Sequence, residues 1–214
     1  MNDYLNKQLE TREEALRSGS PAEYQILMQS VEYFRQTGIA RGLKTGDPAP
    51  AFTLTDALGR TVRLTEETAK GPVVLTFYRG GWCPFCNLQL RAYQEYLPQF
   101  GEHGASVIAV SPQSPDNSVS QQEKERLPFI VASDMEGRVA ERYHVLYEVE
   151  GSLRSLYEKF QIDLAKYNAS ERWFLPVSAT FVIDRGAVIR YAYVDPNFMR
   201  RLEPEVILQV LRTL

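Results

Sequence analysis

Two cysteines, Cys83 and Cys86, stand in a stretch whose hydrophobic period changes midway, and they are the only two in the 214-residue chain. Val73-Val74-Leu75-Thr76-Phe77-Tyr78 is a β-branched and aromatic run, with Gly71-Pro72 before it and Gly80-Gly81 after it. A short apolar run bounded by turn residues predicts a buried strand. From Pro84 onward Phe85, Leu88, Ala92 and Tyr93 recur at helical spacing. Proline suits a first helical position, where a missing N–H has no partner to lose. The pair is therefore expected where a buried strand turns into a helix, with Cys83 at the helix start.

That placement carries chemistry. The first N–H groups of a helix are unpaired and partly positive, which favours thiolate over thiol at Cys83. Cysteines so placed have pKa values lowered from about 8.5 to roughly 3.5–7.5. Cys86 falls on the same face, close enough to close a disulfide or to attack a mixed disulfide on Cys83. A structural zinc site needs four ligands. Beyond the cysteines the chain offers His103 and His144, neither at ligand spacing, and both are expected at the surface or at helix ends. A working redox pair without metal or cofactor is the reading.

The rest of the chain supplies a frame for that pair. Its length and 44% hydrophobic content predict one domain with a sizeable core. A net charge of −3 gives no basic patch, so neither nucleic acid nor membrane is an expected partner. Residues 1–7 lack the layout of a signal peptide and no run approaches transmembrane length, which predicts a cytoplasmic protein. Helices are expected over 3–17 and 21–37. The stripe Tyr24, Leu27, Met28, Val31 and Phe34 on the second packs on the domain or on a second subunit, as in a homodimer. From Gly46 the character changes. A hairpin is expected at Phe52–Leu54 and Thr61–Leu64, then the cysteine helix, kinked or stopped near Pro98. Further expected elements are a strand Ala105–Val110, a helix Pro115–Arg126, a strand Phe129–Ala132 and helices at 136–144 and Ser152–Tyr167. Thr180–Ile183 and Val188–Tyr193 form an antiparallel hairpin, and a last helix over 204–213 turns Val206, Val210 and Leu211 inward. Strands alternating with helices predict a parallel core. Asn168-Ala169-Ser170 matches a glycosylation acceptor by chance.

A strand, a Cys-x-x-Cys helix, a second parallel strand and a terminal hairpin with a helix follow the order of a thioredoxin fold. Three stretches sharpen this: Gly46 to Leu54, Phe77 to Asn87 with its Cys-Pro-Phe-Cys motif, and Ala179 to Asp184. They resemble the peroxiredoxin-like branch of the alkyl hydroperoxide reductase/thiol-specific antioxidant superfamily. The likeness covers residues 43–214 and leaves 1–42 as an N-terminal helical extension. It implies an α/β fold, thioredoxin-like, with a central mixed sheet flanked by helices. It also implies Cys83 as the attacking thiolate and Cys86 as the resolving thiol. Family members carry Thr or Ser three residues before the nucleophile and Pro seven before, where this chain has Gly80 and Thr76. They carry an Arg just before the strand at Thr180, where it has Ser178-Ala179. With those groups missing, the substrate-binding surface is expected from Arg79, Gly80, Gly81, Trp82, Pro84, Phe85 and Ser178. The peptide before Ser178, at the usual place of a cis-proline, is expected to be trans because cis costs a non-proline bond about 2.5–4 kcal/mol.

The expected activity is a thiol-dependent peroxidase reducing hydrogen peroxide or organic hydroperoxides, reset by a thiol reductant such as thioredoxin or glutathione. A reductase of protein or small-molecule disulfides stands close beside it, since Trp82 and Pro84-Phe85 look like thioredoxins and glutaredoxins. A glutaredoxin-like iron–sulfur binding module and a redox sensor are the readings from other classes.

Overall fold

The computed structural model describes residues 4–125 and 127–214, so the expected helix ends at Asp3 and Arg126 lie outside the described residues. Two helices lead the chain, α1 (Tyr4–Gly19) and α2 (Pro21–Thr37), with Pro21 opening the second and Gly38 closing it in the left-handed region. Then follow β1 (Thr53–Asp56), β2 (Thr61–Arg63), α3 (Leu64–Lys70), β3 (Val73–Phe77), α4 (Pro84–Glu102), β4 (Ser106–Ser111), α5 (Pro115–Glu125) and β5 (Ile130–Ser133). The chain closes with α6 (Arg138–Arg142), β6 (Leu146–Glu148), α7 (Gly151–Lys159), α8 (Leu164–Asn168), β7 (Phe174–Pro176), β8 (Ser178–Ile183), β9 (Ile189–Asp195) and α9 (Pro204–Leu211).

Seven strands form one mixed sheet in the order β2-β1-β5-β4-β3-β8-β9. β3, β4 and β5 run parallel, as expected, while β8 joins β3 antiparallel with Thr76 opposite Thr180. β3 is buried at every position, so both faces of the sheet must be covered. Its side chains alternate accordingly. Val73, Leu75 and Phe77 join one apolar layer with Leu27, Phe34, Tyr143 and Leu153. Val74 and Tyr78 join the other with Leu5, Leu9, Leu90, Tyr93 and Ile207. The leading helices thus divide: α1 seals the α4 side, and α2 seals the side of α7. The α2 stripe packs within the chain, with Leu27, Val31 and Phe34 buried.

Several boundaries differ from expectation. α4 runs through Pro98 to Glu102, because Tyr93 before it and Phe100 after it are both fully buried and hold the helix on the sheet. The expected helix Ser152–Tyr167 is two. Gln161 takes a left-handed φ of 58° and Asp163 starts α8 by accepting from the Lys166 N–H, a local hydrogen bond that competes with continuing the turn. The short β6–β7 sheet was not expected. α9 buries Ile207, Leu208 and Leu211, with Val206 and Val210 half-exposed. His103 caps the end of α4 and His144 lies exposed in a turn. Asn168 is fully buried, so no glycan can reach it.

Candidate active site

The cysteines sit where expected. β3 ends at Phe77, the Tyr78 N–H donates to Val110 O at 3.0 Å, and residues 79–82 turn the chain into α4. Cys83 is the N-cap and Pro84 the first helical residue; the Cys83 carbonyl accepts from Cys86 N and Asn87 N, each at 3.1 Å. Side chains clamp the turn. Gly81 N–H donates to the Gln113 amide oxygen, Asn87 Nδ2 donates to Gly81 O at 2.8 Å, and Gln121 bridges Asn87 at 3.0 Å to the Tyr78 hydroxyl at 2.9 Å. Gly80 takes φ 145°, and a Cβ there would come within 2.5 Å of Trp82 Nε1. The turn thus needs glycine for its backbone as well as for space.

Both cysteines are free thiols and both are buried, Cys83 at 1% exposure and Cys86 at 0%. Burial pushes the Cys83 thiol well up, and its hydrogen bond to Cys86 adds to this. This departs from the thiolate expected at Cys83. Burial opposes charge on Cys86 too, but the bond donated by Cys83 and the guanidinium groups of Arg201 and Arg79 outweigh it and hold its thiol well below the usual value. The two shifts favour the proton on Cys83 and the negative charge on Cys86, beside the Arg201 guanidinium.

Two arginines face this pair. Arg79, 3% exposed, lies among three rings, its guanidinium carbon 3.9 Å from the Phe198 centroid, 4.8 Å from Trp82 and 5.3 Å from Tyr157. It donates to the Tyr157 hydroxyl. Arg201, also 3% exposed, donates to Cys86 Sγ at 3.3 Å, to the Ser178 hydroxyl and to the carbonyls of Phe198 and Arg200. Neither has a carboxylate partner among the described residues.

Arg79, Trp82, Cys83, Pro84 and Phe85 of the expected set line one cavity of about 330 Å³. Gly80 and Gly81 shape the turn behind it. Ser178, expected on the substrate surface, is not among the cavity's lining residues and instead accepts from Arg201, which donates to Cys86, and the peptide before Ser178 is trans as expected. Arg201 was missed. It stands 115 residues from Cys86 beside Arg200, and nothing local separates the buried arginine from its neighbour, which pairs with Glu13 on α1 at 3.1 Å. Behind the pair, Thr76, Gln89, Tyr93 and Thr180 form a buried hydrogen-bonded cluster that ends on Leu202 O and ties α4 to β8. No group of three or more metal-capable side chains occurs among the described residues.

Over 158 residues the chain is 30% identical to peroxiredoxin Q, chloroplastic, of Triticum aestivum, covering 73% of this chain and 62% of that one. It is 31% identical over 161 residues to peroxiredoxin Q, chloroplastic, of Gentiana triflora, covering 75% and 64%. The chain thus spans somewhat under two thirds of these relatives. The crystal structure of peroxidoxin BcpB from Mycobacterium tuberculosis superposes with a TM-score of 0.64 over 80% of this chain and 98% of that one, at 24% identity, and so shares the fold. Residues 45–192 match the AhpC/TSA family, and the chain belongs to it.

Proposed function

We propose that the chain is a thiol peroxidase that reduces hydroperoxides at Cys83 and resolves at Cys86. The observation that carries this is a pair of buried arginines beside two free thiols, neither with a carboxylate partner among the described residues. A buried charge is costly unless something compensates it. One thiolate offsets one of the two, which leaves a positive charge for the oxygen anion released when an O–O bond breaks.

Cys83 passes its proton along the hydrogen bond to Cys86 as its sulfur attacks a peroxide oxygen. The S–O bond forms, the O–O bond breaks, and sulfur is oxidised to a sulfenic acid. The alkoxide, beside Arg79, takes the proton back from Cys86 and leaves as an alcohol, or as water when the substrate is hydrogen peroxide. The Cys86 thiolate, held by Arg201, then attacks the Cys83 sulfur. The S–S bond forms and hydroxide leaves, protonated by solvent. A thiol reductant such as thioredoxin or glutathione returns two electrons. Re-reduction at each turnover fits a reducing compartment such as the cytoplasm, and no helix among the described residues is long and apolar enough to cross a membrane. The family match from residue 45 supports taking 43–214 as the domain and 1–42 as its extension. A homodimer would need a surface other than the α2 stripe.

Burial favours a peroxide over a protein disulfide as the substrate. A small peroxide can reach a sulfur that is 1% exposed, whereas a protein, as disulfide substrate or as reductant, reaches it only once the turn opens. The second assignment has its own observation: Arg201 touches Cys86, so the resting charge lies there rather than on the cysteine that lines the cavity. Single-turnover oxidation separates the two. Cys86→Ser is expected to form a trappable sulfenic acid at Cys83, and Cys83→Ser to form none. A sulfenic acid that appears only in Cys83→Ser would reverse the roles, and a small disulfide oxidising the pair faster than any peroxide would replace peroxidase by disulfide reductase.

A further inference from the structure

The cavity beside Cys83 is larger and more apolar than hydrogen peroxide needs. One wall is the catalytic turn with Phe85, and a second is Tyr157 with Phe160 and Ile162. The third comes from outside the residues that match the family: Ala15 and Leu16 of α1 and Leu27 of α2. At about 330 Å³ it falls at the lower end of small-molecule pockets, roughly 300–1,000 Å³. Its charged lining residues are Arg12 and Arg79, and no acid lines it.

We propose that α1 and α2 complete a subsite for the hydrocarbon body of an organic hydroperoxide, and that the extension selects bulky alkyl or aralkyl hydroperoxides over hydrogen peroxide. The inference rests on the peroxidase reading and adds the substrate class. The O–O group lies between Cys83 and Arg79, and the body lies against Leu16, Leu27, Phe160 and Ile162. Leu16 near the end of α1 and Leu27 on α2 line the same cavity, with Ser20 of the turn between the helices also in its lining. Removing apolar contact of this kind costs selectivity by about 10- to 200-fold for a group of methylene size.

The test compares single-turnover oxidation of the reduced full-length protein by cumene hydroperoxide and by hydrogen peroxide. The wild type is expected to react faster with cumene hydroperoxide, and Leu16→Gln to lower the ratio of the two rate constants at least tenfold. Ala15→Trp, which fills the mouth from an exposed position, is expected to lower it similarly without touching the buried core. A wild-type ratio below one, or a ratio unchanged within twofold in both variants, would overturn the subsite and leave the peroxidase reading intact. Calorimetric binding of cumyl alcohol, the non-oxidising product, tests the subsite apart from turnover. Saturable binding weakened at least tenfold by Ala15→Trp supports it even if neither peroxide oxidises the protein, and no saturable binding to the wild type overturns it.

Discussion

At the scale of residues, Arg79 and Arg201 are both buried with no carboxylate partner among the described residues, and the proposed chemistry gives them different tasks. Arg79 lines the cavity, so its effect should appear where the leaving oxygen becomes charged. Arg79→Ala is expected to slow Cys83 oxidation by peroxide roughly 10- to 1,000-fold, the scale of losing one well-placed donor. Stopped-flow oxidation of the reduced protein measures this, and an unchanged rate would remove Arg79 from the site. Arg201 touches Cys86, so its effect should appear in the resting charge. Removing a cation beside a thiolate raises the thiol pKa. In the wild type, thiolate ultraviolet absorbance is expected to persist well below the ordinary thiol value of about 8.5, and Arg201→Met is expected to shift that titration upward. An identical titration in both proteins would show that the charge is held by other groups. Arg79 was legible because it directly precedes the Gly80-Gly81 turn, whereas Arg201 becomes visible only when the segment after β9 folds back over α4.

At the scale of elements, period and punctuation were readable wherever one face of a helix or strand is buried. β3, β4, β5 and β8 are nearly continuous apolar runs, and α2 has both a first-position proline and a closing glycine. Local rules failed where tertiary packing opposed them. Pro98 is exposed inside α4, and a proline in a helix interior costs about 3 kcal/mol relative to alanine. Proline also restricts the unfolded chain, which offsets that cost by about 0.4–1 kcal/mol. Pro98→Ala is therefore expected to stabilise the protein by about 2 kcal/mol in urea unfolding. A loss of stability would mean that Pro98 itself is required for Tyr93 and Phe100 to pack together. The break between α7 and α8 runs the other way, since the apolar side Leu153, Leu156, Tyr157 and Leu164 reads as one stripe. The backbone at Gln161 and Asp163 divides it, and the displaced residues form the cavity wall at Phe160 and Ile162.

For the whole molecule the cysteine pair links folding to pH, with a sign for each thiol. Cys86 has its pKa lowered on folding, so it contributes stability that is fully present above the unfolded value of about 8.5 and is lost as pH falls through its folded value. Cys83 has its pKa raised, so its contribution is fully present below about 8.5 and is lost as pH rises toward its folded value. Together they place the maximum of the pair's contribution near pH about 8.5. Unfolding of the reduced protein and of Cys83→Ser/Cys86→Ser across pH measures it. The difference between the two is expected to peak there, and a difference that falls steadily from neutral pH would contradict the charge on Cys86. The same two shifts reverse what the helix start alone implied, because the helix N–H groups are a local effect whereas burial and Arg201 are supplied by distant chain.

The sequence by itself determined the place of the cysteine pair between a strand and a helix, the mixed sheet and the order of its main elements. These follow from short-range causes: hydrophobic period, the backbone needs of glycine and proline, and the spacing of two cysteines. Only the tertiary structure decided which sulfur holds the charge, which arginine faces it and what walls the cavity. Those depend on contacts between residues far apart in the chain: Arg201 on Cys86, Ser178 on Arg201, and Leu16 and Leu27 lining one cavity. A buried charge and an apolar cavity are properties of what surrounds them, and those surroundings exist only once α1, α2 and the segment before α9 have packed into place.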